Sequence, residues 1–264
     1  YPLPSFTAED AAAAKLKLAE ARSQRDLIFS RAQETGFSIP IDVQQKIDAL
    51  LQEAQTAYDA QQYGNVRELV GKVTVLLEML EEKIAELTAH SDALFFPSAT
   101  MANEVALMAL CDRGDELVAA SNCHLFEAEA GGPAVHAQVL CRHIPTDTGI
   151  FTSEDIRNAY HFAKTPLTPI TRVVSVENTA NMGGGIAWTK EQLNSVLSVC
   201  EELDLLKHLD GARLFNASVR TGLSTQTIAG GFDTVTVCLS KGLGCPAGAV
   251  LAFDKKHFSK IRRL

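Results

Sequence analysis

Lys241 closes the apolar run Thr234–Ser240 and is followed at once by Gly242-Leu-Gly244. A lysine at the mouth of a buried strand, with glycine beyond it, can offer its amine to an aldehyde and form a Schiff base. A second strand end lies upstream, His208-Leu-Asp210-Gly-Ala-Arg213. It supplies a carboxylate and a guanidinium. Acid, arginine and lysine in that order suggest chemistry that uses pyridoxal 5'-phosphate (PLP).

PLP needs an amine for its aldehyde, a cradle for its phosphate, a partner for its pyridine nitrogen and a wall for its ring. Lys241 can supply the amine, although most lysines are solvated surface residues. Asp210 can keep the pyridine nitrogen protonated, or it can cap the following helix. The stretch Pro97-Ser98-Ala99-Thr100-Met101-Ala102-Asn103 lies between a strand and a helix. Its backbone N–H groups and the Ser98 and Thr100 hydroxyls could hold a phosphate dianion, or Ser and Thr could simply cap. His124 follows a strand and could stack on a ring and assist proton transfer, against the alternative of an incidental loop histidine. Arg213, three residues after Asp210, could clamp a carboxylate with two hydrogen bonds or form a surface ion pair. Gly242-Leu-Gly244-Cys-Pro-Ala-Gly248 does not fit G-x-G-x-x-G, because its third glycine comes one residue late. Gly183-Gly-Gly185 reads as a turn.

The elements that must position these residues fall into two regions. Residues 1–90 contain 3 of the 17 glycines, and the rest of the chain contains 14. The first region reads as helices. Thr7 and Asp10 form a cap pair, and an end is expected near Gly36. Pro40 and Asp42 open a second helix with Val43, Ile47, Leu50, Ala54 and Tyr58 on one face. A turn is expected at Tyr63-Gly64-Asn65. A third helix then carries Val66, Leu69, Val73, Leu76, Leu80, Ile84 and Leu87. A self-burying helical hairpin explains these stripes better than a coiled coil, because the repeats are short and a tight turn joins them.

From residue 93 short apolar runs alternate with helical stretches. Strands are expected at 94–96, 116–119, 138–140, 172–176, 207–209, 235–239 and 249–253. Helices are expected at 101–110, 154–163 and 190–203. Continuous apolar strands separated by helices predict a three-layer α/β/α domain with a mostly parallel sheet. In such sheets ligands bind beyond the carboxyl ends of the strands, and every polar group singled out above falls at such an end.

The bulk properties set limits. The net charge is −8, with 9 Lys+Arg against 14 Asp+Glu in residues 1–90 and 15 against 18 beyond. Neither half is basic, which argues against nucleic acid as a partner. No apolar stretch reaches membrane-span length, and Tyr1-Pro-Leu-Pro does not read as a signal peptide. The six cysteines (111, 123, 141, 200, 238, 245) include no CxxC pair. They read as reduced thiols of a cytoplasmic protein, and no metal site is expected.

Together the segments LFFPSATMANEVAL (94–107), RGDELV (113–118), HLFEAEAGG (124–132), VENT (176–179), HLDGARLFNASV (208–219) and VCLSKGLGCPAGAVL (237–251) resemble the threonine aldolase (β-eliminating lyase) family of fold type I PLP enzymes. The resemblance implies a PLP-binding large domain over residues 91–264, behind a helical extension over 1–90 and without the family's smaller C-terminal domain. It implies Lys241 as the lysine that carries the cofactor, Asp210 as partner of the pyridine nitrogen and His124 as the ring-stacking histidine. Ser98, Ala99 and Thr100 would bind phosphate, and Arg213 the substrate carboxylate. The implied reaction cleaves a β-hydroxy-α-amino acid, threonine among them, to glycine and an aldehyde. A homo-oligomer, dimer or tetramer, is implied as well. Two positions depart from the family pattern: Ala99 stands where glycine is usual, and Ala180 stands where a histidine follows Glu-Asn-Thr. Other readings are another PLP-dependent lyase or a transaminase-type enzyme, or a non-catalytic fragment whose helical region is an interaction module.

Overall fold

A computed structural model describes residues 8–34, 41–60, 62–162, 165 and 167–264. In chain order the elements are α1 (Ala8–Glu34), α2 (Ile41–Asp59), α3 (Tyr63–Thr88), β1 (Asp92–Phe96), α4 (Ala99–Leu110), β2 (Glu116–Ala120), α5 (His124–Glu127), a π-helical turn (Pro133–Ala137), β3 (Leu140–Ile144) and α6 (Ser153–Ala159). They continue with β4 (Thr171–Glu177), α7 (Lys190–Glu202), β5 (Leu206–Asp210), α8 (Leu214–Thr221), α9 (Thr225–Ala229), β6 (Thr234–Cys238), β7 (Ala249–Phe253), a 3₁₀ turn (Lys255–His257) and α10 (Phe258–Ile261).

The chain divides into two compact units, one drawn from Tyr1–Leu80 and Cys245–Ala247, the other from Glu81–Gly244 and Gly248–Leu264. In the first, Ala14 of α1, Ala57 of α2 and Val66 of α3 are buried together, with Tyr58 packed against them. Small side chains at these points allow close helix approach. The chain turns before Tyr63, earlier than expected. Gln62 accepts from the Asn65 and Val66 amides through its carbonyl and from Asn65 Nδ2 through its side chain, so Tyr63–Asn65 already belong to the helix. Thr7, Gly36 and Pro40 lie outside the described residues, as do the side chains of Asp42, Val43, Ile47, Val73 and Leu76.

The second unit is built on a seven-stranded sheet of order β1-β7-β6-β5-β4-β2-β3. The pairs β2–β3, β2–β4, β4–β5 and β5–β6 are parallel. β7 runs antiparallel to both neighbours, β6 and β1. Strands β2, β6 and β7 are buried at every position, as their continuous apolar sequences require when helices cover both faces. Strand β3 starts at Leu140, two residues later than expected. Gln138 takes a left-handed backbone (φ 56°) that ends the preceding π turn, and a strand cannot begin there. α6 ends at Ala159, because Tyr160 turns to extended backbone and the His161 amide bonds to Thr171 Oγ1.

One buried polar chain ties α4 to the sheet. Asn103 and His208 are both fully buried. Asn103 Nδ2 donates to Asp210 Oδ2 (3.1 Å) and to Glu129 Oε1 (2.8 Å). Its Oδ1 therefore accepts from His208 Nε2 at 3.1 Å. That fixes the His208 tautomer, leaving Nδ1 to accept from Thr234 Oγ1 at 2.8 Å.

Two outcomes follow from this chain. Asn103→Leu keeps the bulk but orphans the His208 N–H and removes a donor from two buried carboxylates. Each orphaned buried group costs roughly 1–3 kcal/mol, so urea unfolding should show a loss of about 3 kcal/mol or more. A variant of wild-type stability would contradict this account. Burial holds the His208 imidazole down at about 4, below its ordinary 6.5. The unfolded chain then takes up a proton that the fold refuses. His208 leaves stability intact above pH 6.5 and lowers it progressively as pH falls through 4. Unfolding midpoints measured across that window should fall less steeply in His208→Gln.

Candidate active site

Phe96 of β1 and Cys238 of β6 both stand opposite Ala249 of β7, so β1 and β6 point the same way and end level. Asp210 ends β5 opposite Thr236 of β6 on one side and Glu177, the end of β4, on the other. β2 runs parallel to β4. The carboxyl ends of β1, β2, β4, β5 and β6 thus share one edge of the sheet. The segments after them carry, respectively, Ser98–Thr100, His124, Ala180, Arg213 and Lys241.

Beyond β1, Ser98 is the N-cap of α4 in an extended conformation, and its Oγ accepts from the Met101 amide at 3.2 Å. Its carbonyl accepts from the Ala102 amide. Capping therefore uses the Met101 and Ala102 N–H groups. Ala99 and Thr100, at the first two helical positions, have no carbonyl one turn back to bond to. Ser98, Ala99 and Thr100 are all half-buried. The simple capping role and a set of free amides coexist here.

Beyond β2, Cys123 caps a single helical turn that begins at His124. His124 Nδ1 donates to Glu129 Oε1 at 2.8 Å, and its amide donates to Glu177 Oε2 at 3.3 Å. Glu129 Oε1 thus collects two donors, His124 and Asn103. The bond to Glu129 raises the His124 pKa, burial opposes it, the Asp210 charge adds to it, and the nearby Lys241 charge lowers it. Lys241 therefore lies within electrostatic reach of His124. His124, Glu129 and Asp210 each bring a polar atom within 4.8 Å of the others.

Beyond β5, Asp210 is 3% exposed. Its Oδ1 accepts from the Ala212 amide at 3.1 Å, and its Oδ2 from Asn103. The first bond is a local turn, distinct from the cap of α8, whose N-cap residue is Arg213. Among the described residues no lysine or arginine pairs with Asp210. Gly211 is required there, since a Cβ would stand 2.8 Å from the Thr236 carbonyl oxygen. The Arg213 side chain is half-buried and makes no ion pair among the described residues. Lys241 is likewise half-buried and makes no side-chain hydrogen bond or ion pair among them. Its carbonyl accepts from Gly244 in the turn beyond β6.

Beyond β4, Glu177 accepts from the His124 and Asn181 amides. Burial, and then the Asp210 charge, raise its pKa to about 7. Ala180 is 1% exposed and bridges to Ile186, with Gly184 and Gly185 turning the chain at positive φ. A Cβ on Gly149 would stand 2.5 Å from the Ala180 methyl.

The sequence reading singled out Lys241, Asp210, Arg213, His124 and the Ser98–Thr100 turn, and all of them lie beyond one sheet edge. It missed the roles of Asn103, Glu129, Glu177 and His208, which orient that set. Their signal was present: Asn103 and Glu104 are polar positions inside the otherwise apolar helical run 101–110, and Glu129 follows His124 by five residues.

The sequence pattern of the beta-eliminating lyase family matches residues 54–264. The chain is 38% identical over 185 residues to the low-specificity L-threonine aldolase of Candida albicans, covering 69% of this chain and 49% of that one. It is 34% identical over 190 residues to the low specificity L-threonine aldolase of Escherichia coli K12, covering 70% and 54%. The chain therefore spans about half the length of the curated relatives it matches. The solved threonine aldolase of Leishmania major superposes with a TM-score of 0.61 at 24% identity, over 68% of this chain and 54% of that one, which shows a shared fold. By the match that runs from residue 54 to residue 264, this chain belongs to the beta-eliminating lyase family.

Proposed function

We propose that this chain is the cofactor-binding part of a PLP-dependent lyase that cleaves the Cα–Cβ bond of β-hydroxy-α-amino acids such as threonine, giving glycine and an aldehyde. The observation that carries the reading is Asp210. It is a buried carboxylate held by neutral N–H donors alone, at a strand end shared with Lys241 and His124. Among the described residues no cation bonds to Asp210, and a protonated pyridine nitrogen would supply one, so the residues present fit PLP. The names of the Candida and Escherichia relatives support the choice of threonine-type substrates.

In this reading Lys241 supplies the amine for the aldehyde, and the Ala99 and Thr100 amides with Ser98 hold the phosphate at the start of α4. When bound, PLP takes up the electron pair released as a bond to the substrate Cα breaks. Arg213 offers two parallel N–H groups to the substrate carboxylate. His124 walls the ring and is held in orientation by Glu129. The Glu129 bond, which raises its pKa, favours the protonated ring, and Nε2 is the nitrogen left to hold or give up a proton. A cytoplasmic setting and a homo-oligomeric state belong to the same proposal. Six free cysteines support the first, and light scattering on the purified chain would read the second. No helix among the described residues is long and apolar enough to cross a membrane.

Ala180 favours a second reading within PLP chemistry. It presents only a methyl group, packed against Gly149, so no side chain there can meet a β-hydroxyl. Another amino-acid lyase or a transaminase-type activity fits that position equally well. Product analysis with threonine, allo-threonine, phenylserine and serine separates the two: glycine release supports the first reading, and conversion without glycine supports the second.

The cofactor assignment has its own tests. Adding PLP should produce a near-visible absorbance band, and borohydride should then fix the cofactor to the peptide that contains Lys241. Lys241→Ala should lose both the band and the label; a label on another lysine defeats the assignment. Asp210→Asn keeps the shape and removes the charge. A charge-assisted hydrogen bond contributes roughly 1.5–3 kcal/mol, so PLP affinity, read by titrating the band, should fall about 10- to 100-fold.

A further inference from the structure

Glu104 and Glu129 form a buried pair beside His124, 6% and 4% exposed. Glu104 follows Asn103 on α4, and Glu129 lies in the segment after α5. Glu129 acts on Glu104 through its charge and through a side-chain hydrogen bond, both of which raise the Glu104 pKa. Glu129 Oε1 is fully engaged by Asn103 and His124. Its Oε2 and both Glu104 oxygens have no donor. Gly132 closes over the Glu104 carboxyl, since a Cβ there would stand 2.2 Å from Glu104 Oε1. Two ionised carboxylates cannot bond to each other. A single proton between them makes one O–H···O bond and gives Glu129 Oε2 the donor it lacks.

We propose that Glu104 is a positioning residue for His124: it keeps a proton at neutral pH and donates it to Glu129 Oε2, which sets how strongly Glu129 holds the His124 Nδ1–H. The proposal rests on the reading in which His124 faces the cofactor, and it names the group that tunes that histidine. The donated O–H draws negative charge away from Glu129 Oε1. With the proton in place, His124 feels a moderated anion. Without it, His124 faces an undiluted carboxylate with a second charge behind it and keeps its own proton to higher pH.

The surroundings favour the proton on Glu104. Burial is the largest cause of a Glu104 pKa raised to about 8, and the Glu129 charge adds to it. The other titratable groups are placed as follows. Cys141 of β3 feels the Glu104 charge, although burial is what mainly raises its thiol. Asp210 and His208 of β5 reach the pair through Asn103. Glu177 of β4 bonds to the His124 amide, and Lys241 opposes the His124 charge. The π turn packed on α4 carries His136, which is exposed. Lys260 of α10 reaches the far end of α4, at the Cys111 carbonyl. No cation meets Glu104 among the described residues.

The test is a pH titration by NMR of the cofactor-free chain, labelled in glutamate carboxyls and histidine rings. One carboxyl should titrate near pH 8 and be missing in Glu104→Gln. The His124 curve should show a second inflection at the same pH, absent in Glu104→Gln, whose amide still donates to Glu129 but cannot ionise. Glu104→Leu removes the donor and should raise the His124 midpoint by about one pH unit, while Glu104→Gln stays near wild type. A Glu104 carboxyl titrating in the ordinary range overturns the proposal, as does a His124 curve identical in wild type and Glu104→Gln. If the leucine variant does not fold, the near-isosteric glutamine variant decides alone. The measurement needs no PLP: failure to bind PLP refutes the lyase reading, whereas an unresponsive His124 refutes this one.

Discussion

The Asn103 side-chain amide is the contact on which the rest of the site depends. A buried amide has three hydrogen-bonding directions that matter here, and two of them go to β5 and one to the segment after α5. Its two N–H groups serve Asp210 at the end of β5 and Glu129 after α5, and its oxygen takes the His208 N–H from within β5. Helix packing alone fixes α4 only to within the tolerance of apolar contacts. Three directional bonds fix its rotation and its height above the sheet. The same rotation aims the N-terminal amides of α4, one turn earlier, beyond the strand ends. One side chain thus couples the proposed phosphate cradle to the proposed partner of the pyridine nitrogen.

Four carboxyl groups crowd this edge, and the fold handles each differently. Asp210 has one side-chain and one backbone donor. Glu129 has Asn103 and His124. Glu177 has two backbone amides, yet burial and the Asp210 charge still lift it to about 7. Glu104 has no donor and is lifted further than Glu177, to about 8. The difference between Glu177 and Glu104 follows their donors, as expected when hydrogen bonds to the charged form oppose desolvation. In the proposed reading, a protonated ring nitrogen would meet the charge that this crowding leaves on Asp210.

Much of this was legible in the sequence, for definite reasons. Six of the seven strand positions showed because strands covered on both faces are written as continuous apolar runs. Lys241, Asp210, Arg213 and His124 showed because polar residues directly after such runs must lie at strand ends. The β3 start was misplaced because Gln138 looks ordinary in sequence, and only its left-handed backbone ends the π turn. The Tyr63–Asn65 turn was misplaced because Gly64 and Asn65 resemble turn residues, whereas Gln62 supplies the bonds that start the helix. Glu104 and Glu129 are 25 positions apart, and no local pattern announces that two glutamates will be buried face to face. Pairings of that kind exist only once the topology has closed.

The turn after β5 shows how recognition of cofactor and substrate becomes a single geometric fact in the proposed reading. Asp210 Oδ1 accepts from the Ala212 amide, and Leu214 donates back to the Gly211 carbonyl. Gly211 sits so close to the Thr236 carbonyl that no side chain fits there. The four residues Asp210–Arg213 are thus held against β6 and cannot relax independently. The carboxylate assigned to the ring and the guanidinium assigned to the substrate share that one rigid turn. An error in its conformation would displace both partners together, so the turn sets the distance between ring and substrate carboxylate. The segment beyond β4 is built differently, with Ala180 sealed against Gly149. In the proposed reading, the choice of β-substituent should therefore be sought around Ala180, and not in the residues that hold the ring.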